Sequence, residues 1–296
     1  MVGFLEWTET ETASLIGNFE SGSAEWHEQR NELGVITGSQ IGTIMGVNPW
    51  ESAVTRFYKA TGKISDNIEP SMAMKLGTAL EAPILDVFIG ENPELSVYRT
   101  GTWKSKEHDW MRANPDAIFF DKDGEAGIIE VKFSRDYWQD GPPLHYEMQL
   151  NWYLGILGLK HGKFVALAGS NFTVVDYEFD ELLFGAQVDR ATEFRQSVFD
   201  NRPPAWDGSN STFETMRALN PNIDADASVE LGYLGQELLE MFKQHDQAVA
   251  DLNQTKSEVL AWMGTAKFGL WNGQKVCSRQ QRGQGLPFLV MTKEGK

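Results

Sequence analysis

Two short runs, NPD at 114–116 and IIEVK at 128–132, flank a DKDG turn, and that spacing constrains this chain more than any other stretch. Asp121 to Gly124 favour a tight reversal, because Asp and Gly accept turn dihedrals. Folding AIFF (117–120) back on AGIIEVKF (126–133) brings Asp116 close to opposite Glu130. Side chains alternate along a strand, so Glu130 and Lys132 share one face and Val131 takes the other. Two carboxylates and an ammonium then converge at one end of a hairpin. Hard oxygen donors of this kind suit Mg2+ or Mn2+, and the lysine can orient or deprotonate an attacking water. Divalent-metal nucleases need this spacing. A hairpin with a merely solvated, charged face reads the same way until its surroundings are considered.

The bulk properties leave room for such a site. A chain of 296 residues can bury a full core of about 200 residues and carry an extension besides. An apolar content of 41% and a mean hydropathy of -0.36 describe a soluble globular protein. No run is long and apolar enough to suggest a membrane span, and the acidic start MVGFLEWTETETASL lacks the basic flank of a signal peptide. The single cysteine, Cys277, excludes an internal disulfide and any cysteine-built zinc or iron–sulfur site, which suits a reducing cytoplasm. A net charge of -16 argues against a protein that coats nucleic acid non-specifically. It argues less against a nuclease, because a metal-filled cleft with a few Lys and Arg can still hold DNA.

Along the chain, residues 1–22 are acidic and Ser/Thr/Gly-rich and read as a loosely packed arm. Residues 23–206 alternate helices and strands as a mixed α/β domain. Helices are expected at AEWHEQRNEL, from Ser39, over 53–62, 72–89, 145–159 and 181–201; strands around 95–103 and 117–133, then in GKFVALAGS and FTVVDYEFD. ISDNIEPS (64–71) reads as a loop. Residues 207–228 read as a linker, and 229–296 as an extension of one long helix and a hairpin turning at Asn272-Gly273. There is no internal repeat and no low-complexity block.

Three further groups could carry chemistry. Glu81, in MKLGTALEAPILDVF, shares a helical stripe with Gly77, Ile84, Leu85 and Phe88. A carboxylate facing inward is costly unless paired or bound to a metal, so it is expected as a third acidic group; the alternative is a helix-border glutamate reaching solvent. Gln149 shares a stripe with Tyr146, Leu150 and Tyr153 and must find hydrogen-bond partners, either in the core or on a water or phosphate by the metal. Arg30 and Ser39 bracket GVITG, where a starting helix offers free N–H groups and an arginine could clamp a phosphate. An ordinary surface arginine with an N-cap serine fits the same pattern. Arg112 and Lys75 are weaker candidates, and Trp138 could stack on or wedge against DNA. The five histidines have no ligand spacing, and neither GxSxG nor a Walker motif occurs.

Taken in order, WHEQRNELGVITGSQIGTIMGVNPW, GTALEAPI, ANPDAIF, IIEVKFS and HYEMQLNWYLGIL resemble the YqaJ-type viral recombinase family. That family includes the phage lambda exonuclease and belongs to the PD-(D/E)xK nucleases. The likeness spans about residues 26–205. It implies a restriction-endonuclease-like core, a central mixed β-sheet flanked by helices. It also implies Mg2+, replaceable by Mn2+, on Asp116, Glu130 and the Val131 carbonyl, with Glu81 at the metal directly or through water. Lys132 would position or activate the water, with Gln149 in support. Arg30 and Ser39 resemble a pocket for the 5′ phosphate of a DNA end, and two extra residues separate Arg30 from GVIT. Asn114 stands where the family has a serine before Pro-Asp, and Asn151 where it has the second glutamine of QxQ; both are expected on the substrate side.

The expected function is therefore a phage-type Mg2+-dependent exonuclease that resects double-stranded DNA ends from 5′ to 3′. Its product would serve a single-strand annealing protein in the host cytoplasm, and a homo-oligomer (a trimer by family likeness) is implied. An endonuclease of the same superfamily, or a non-catalytic DNA-binding or scaffolding recombination protein, are the rival expectations.

Overall fold

A computed structural model describes residues 3–19, 22–66 and 71–292. The outer residues of the expected arm and half of the expected loop at 64–71 lie outside the described residues. The elements run β1 (Ala13–Gly17), α1 (Ala24–Asn31), β2 (Ile36–Thr37), α2 (Gly38–Ile44), α3 (Ala53–Ala60) and α4 (Met72–Glu91). There follow β3 (Ser96–Arg99), β4 (Thr102–Ser105), β5 (Met111–Ala113), β6 (Ala117–Phe120), β7 (Ala126–Ser134), α5 (Leu144–Leu157), β8 (His161–Ala168), β9 (Asn171–Glu178), α6 (Glu181–Phe199) and α7 (Asn210–Leu219). Then come α8 (Tyr233–Met263), β10 (Phe268–Trp271), β11 (Gln274–Gln280) and β12 (Phe288–Met291). The chain divides into two compact units, Met1–Ile223 and Asp224–Lys296.

The first unit holds a mixed five-stranded sheet in the order β3-β6-β7-β8-β9, with β7 and β8 parallel and the other pairs antiparallel. Successive side chains of β7 go to opposite faces. Ile129 and Val131 pack with Ile84, Leu85 and Phe88 of α4. Ile128 joins Leu150, Trp152 and Leu154 of α5 on the other face. That alternation sends Glu130 and Lys132 toward α5. A second sheet, β1-β4-β5-β2, flanks α5.

The β6–β7 reversal is built as the sequence demands. Asp121 Oδ1 accepts the N–H groups of Asp123 and Glu125, each at 2.9 Å. Gly124 sits at φ 83°, which a side chain would resist. In the second unit, the expected Asn272-Gly273 turn has φ of 50° and 78° and joins β10 to β11, with β12 as a third strand.

Three sequence expectations are corrected. The arm is not all loose, since Ala13 is fully buried and β1 pairs antiparallel with β4. The span read as a linker contains α7, whose Thr215 and Ser211 hydroxyls bond Thr55 at 2.8 and 2.7 Å. That docking is polar, so apolar periodicity could not announce it. In α4 only Ile84, Leu85 and Phe88 are buried, so the stripe expected through Gly77 and Glu81 is fully inward only beyond Glu81.

Candidate active site

The β6 register pairs Ala117 with Ile129, which sets Asp116 opposite Glu130 just past the end of β6. There the Val131 N–H, which no longer has a strand partner on that side, donates to Asp116 Oδ2 at 2.7 Å. A strand residue points its N–H and C=O to the same side, so the Val131 carbonyl faces this edge too. Glu130 is 2% exposed. Its Oε1 accepts from Lys132 Nζ and from Gln149 Nε2, both at 2.6 Å. Lys132 also donates to Gln149 Oε1 at 3.2 Å and lies 4.7 Å from the Tyr146 ring centre. The structure thus brings Asp116, Glu130, Lys132 and Gln149 together.

The electrostatics follow from crowding. Burial, and then the charges of Glu130 and Glu81, push the Asp116 carboxyl well above the usual range. Glu130 is raised by burial, against the pull of the Lys132 charge and hydrogen bond. Burial also raises Glu81, opposed by Arg99 and Lys132. Burial alone would lower Lys132, but Glu130 and Asp116 outweigh it, so its ammonium is held above its ordinary pKa. Three acidic groups therefore crowd one hydrogen-bonded ammonium, and each is held toward its protonated form until a further cation joins them.

One atom decides whether a cation suits this edge. Glu130 Oε2 is buried without a hydrogen-bond partner, a state that costs about 1–3 kcal/mol or more for a charged group. A divalent ion would meet it together with Asp116 and the Val131 carbonyl, and that hard oxygen set fits Mg2+ or Mn2+. Among the described residues, no three His, Cys, Asp or Glu side chains are arranged to hold a metal by themselves. Glu81, expected at the metal directly or through water, faces the site as a charge felt by Asp116 and Lys132. It arrives from α4, on the sheet face opposite Glu130 and Lys132, and acts on the site through its charge.

A second cluster adjoins this one. Arg30 Nη2 donates to Ser39 Oγ at 2.6 Å, Ser39 Oγ lies 3.1 Å from Thr37 Oγ1, and the guanidinium stacks 4.1 Å from the Trp26 ring centre. Tyr153 links the clusters: its hydroxyl accepts from Gln149 Nε2 at 3.1 Å, and its charge state couples to Arg30. Gly38 makes room for that ring, since a Cβ there would lie 2.3 Å from Tyr153 Cε1. Tyr153, Tyr146 and Thr37 were not singled out from the sequence. Tyr153 was within reach, being one turn from Gln149 on the same stripe.

Other candidates fall elsewhere. Asn114 Nδ2 donates to Thr102 Oγ1 at 2.5 Å, tying β4 to the residue before Pro-Asp, while its Oδ1 is buried without a partner. Asn151, expected on the substrate side, is fully buried. It accepts from the Asp180 N–H at 2.9 Å and donates to the Asp180 carbonyl at 3.1 Å and Gln187 at 3.2 Å, fastening α5 to the start of α6. Trp138 is 7% exposed and packs against Tyr146 and Phe164, so it is core rather than a wedge. Arg112 is buried against the Asp109 carbonyl and 3.6 Å from Glu32, and Lys75 is exposed on the first turns of α4.

Acid, acid and lysine thus meet at the open end of the central hairpin of a mixed α/β sheet. Residues 25–160 match the family model of the YqaJ-like viral recombinase domain. It is 24% identical over 276 residues to the uncharacterized protein YqaJ of Bacillus subtilis (strain 168), a match covering 89% of this chain and 85% of that protein. Among solved structures it is similar to the alkaline exonuclease LHK-Exo of Laribacter hongkongensis, with a TM-score of 0.51 and 20% identity over 61% of this chain and 94% of that one. LHK-Exo in complex with dAMP gives a TM-score of 0.52 and 21% identity over the same shares. These likenesses bear out the family resemblance and the α/β fold read from the sequence. Among the described residues, no helix is long and apolar enough to cross a membrane.

Proposed function

We propose that this protein is a phage-type, Mg2+-dependent DNA exonuclease that resects double-stranded ends from 5′ to 3′. The 3′ single-stranded tail would pass to a single-strand annealing protein in the host cytoplasm. The observation that carries this reading is the unpartnered Glu130 Oε2 beside Asp116, with Lys132 and Gln149 fixed around it. A homo-oligomer, trimeric by family likeness, belongs to the same proposal, and so does Mn2+ as a substitute ion.

Asp116, Glu130 and the Val131 carbonyl would hold the ion. When bound, it would polarise the scissile phosphate and ease formation of a nucleophile from water. The remaining work falls to the chain. Lys132, kept protonated by its two acidic neighbours, donates to the attacking water or to a phosphoryl oxygen and offsets the charge that builds there. Gln149 bonds both Glu130 and Lys132, so it keeps the acid and the ammonium at fixed separation. Arg30, with Ser39 and Thr37 beside it, offers a charge-assisted clamp for a terminal 5′ phosphate. Binding of dAMP by LHK-Exo supports a nucleotide at a fold of this kind.

The test is cleavage of linear duplex labelled at either strand end, beside a covalently closed circle, with and without Mg2+. Release from the 5′ end of linear DNA alone supports the proposal. Digestion of the circle points to the endonuclease reading, and no cleavage by the wild type overturns the enzyme.

A further inference from the structure

An exposed tryptophan stands at the rim of the site and has no part in the chemistry above. Trp50 is 68% exposed. A lone exposed aromatic is unremarkable in itself, but the backbone beneath this one is tightly held. The Trp50 N–H donates to Asn48 Oδ1 at 2.9 Å, and Asn48 Nδ2 donates to Thr43 Oγ1 at 2.9 Å. The N–H groups of Val47 and Asn48 both reach the Gly42 carbonyl, at 2.9 and 3.1 Å. Pro49 fixes a further dihedral. The loop is rigid while its largest side chain is left in solvent.

The indole is also aimed. It packs edge-on against His145, ring centres 4.9 Å apart. His145 lies 4.1 Å from Tyr146, whose ring is 4.7 Å from Lys132 Nζ. An unbroken run of rings thus leads from the catalytic ammonium to the Trp50 face, within the span of a few stacked nucleotides at about 3.4 Å each. The same ring's Nε2 is buried without a hydrogen-bond partner, so contacts with the neighbouring rings hold His145 beneath the indole. Gly42 permits this approach, since a Cβ there would sit 3.0 Å from His145 Cβ.

We propose that Trp50, backed by His145, is a stacking platform for an unpaired nucleobase within a few nucleotides of the scissile phosphate. It would hold the strand in register while Lys132 and the acids act. This rests on the nucleic-acid reading of the site, and it has the terminal nucleotide of a double-stranded end leave the duplex stack as it enters. A base offers a flat face whatever its identity, so the contact would be sequence-tolerant.

Binding is measured in Lys132→Ala, which removes turnover, using oligonucleotides with 2-aminopurine placed at successive positions from the 5′ end. One position should be quenched on binding. Adding Trp50→Ala should abolish that quenching and weaken binding roughly tenfold, and Trp50→Phe should restore most of both. In the active protein, a single abasic nucleotide moved along the strand should raise KM at that same position, and Trp50→Ala should erase the penalty. Equal quenching and affinity with and without Trp50, or an abasic penalty that persists in Trp50→Ala, overturns the proposal. Failure of the nuclease reading looks different: the wild type then cleaves nothing, while the quenching in Lys132→Ala still stands or falls on Trp50.

Discussion

Lys132 Nζ lies 2.6 Å from Glu130 Oε1, and both side chains leave one strand on the same face toward α5. The pair is nearly dry, with Glu130 at 2% and Lys132 at 15% side-chain exposure. A buried charge pair is strongly felt when one partner is removed. Lys132→Ala should lower kcat by at least about a hundredfold and leave the circular dichroism spectrum unchanged. Single-turnover cleavage of a labelled duplex measures it.

The crowding of Asp116, Glu130 and Glu81 means the site is held at a cost to stability. Asp116→Asn keeps an oxygen for the Val131 N–H and removes a buried charge facing two others. It should raise the stability of the metal-free protein by about 1 kcal/mol, a shift of about 2–4 °C in Tm, while abolishing cleavage. Calorimetry should also show that Mg2+ stabilises the wild type and not this variant.

Away from the site, Asp66 bonds Arg56 at 2.5 Å and lies 3.3 Å from Lys59. Burial would raise its pKa, but the Arg56 hydrogen bond and the Arg56 and Lys59 charges outweigh that and hold it below the ordinary 3.8. A depressed folded-state pKa gives stability that is present above the unfolded value and lost as pH falls through the folded one. Asp66→Asn should therefore cost stability at neutral pH, by no more than about 1 kcal/mol given its partial exposure. The difference from wild type should close as pH drops below about 4, followed by urea melts across that range.

Much of this site was legible because hairpin register is a local rule. Asp121 and Gly124 fix the turn, and the turn fixes Asp116 against Glu130. Gln149 was readable from helical period. Asn151 was not, because its role depends on the N–H of Asp180, beyond two intervening strands. Glu81 was legible as an inward acid because its stripe is apolar, while the sheet face that α4 covers is set by long-range packing. The α7 docking and the β1 edge strand rest on hydroxyl bonds and on pairings far along the chain, and neither leaves a periodic trace.

Arg30 and Ser39 predict end chemistry. The wild type should cleave a 5′-phosphorylated end faster than a 5′-hydroxyl end, and Arg30→Ala should bring the first rate down to the second, about tenfold or more. Rates on the two ends, measured side by side, report this directly. An unchanged preference in Arg30→Ala would place the phosphate elsewhere.

Gly38 is a test of the link between the two clusters. A Cβ at 2.3 Å from the Tyr153 ring forces it to move, so Gly38→Ala should cost about 1–3 kcal/mol and slow cleavage by loosening Gln149. Tyr153→Phe, which loses one hydrogen bond but keeps the ring, should be the milder of the two in thermal melts.

The central claim is that Asp116 and Glu130 hold a cation that this carboxylate-rich edge needs. Titrating Mg2+ or Mn2+ into wild type, Glu130→Gln and Asp116→Asn by isothermal calorimetry, with 5′-label release from linear duplex read on the same samples, tests it most directly. The account predicts binding and cleavage that rise together in the wild type and vanish together in both variants. Metal-independent cleavage, or undiminished metal binding without Glu130 and Asp116, would contradict it.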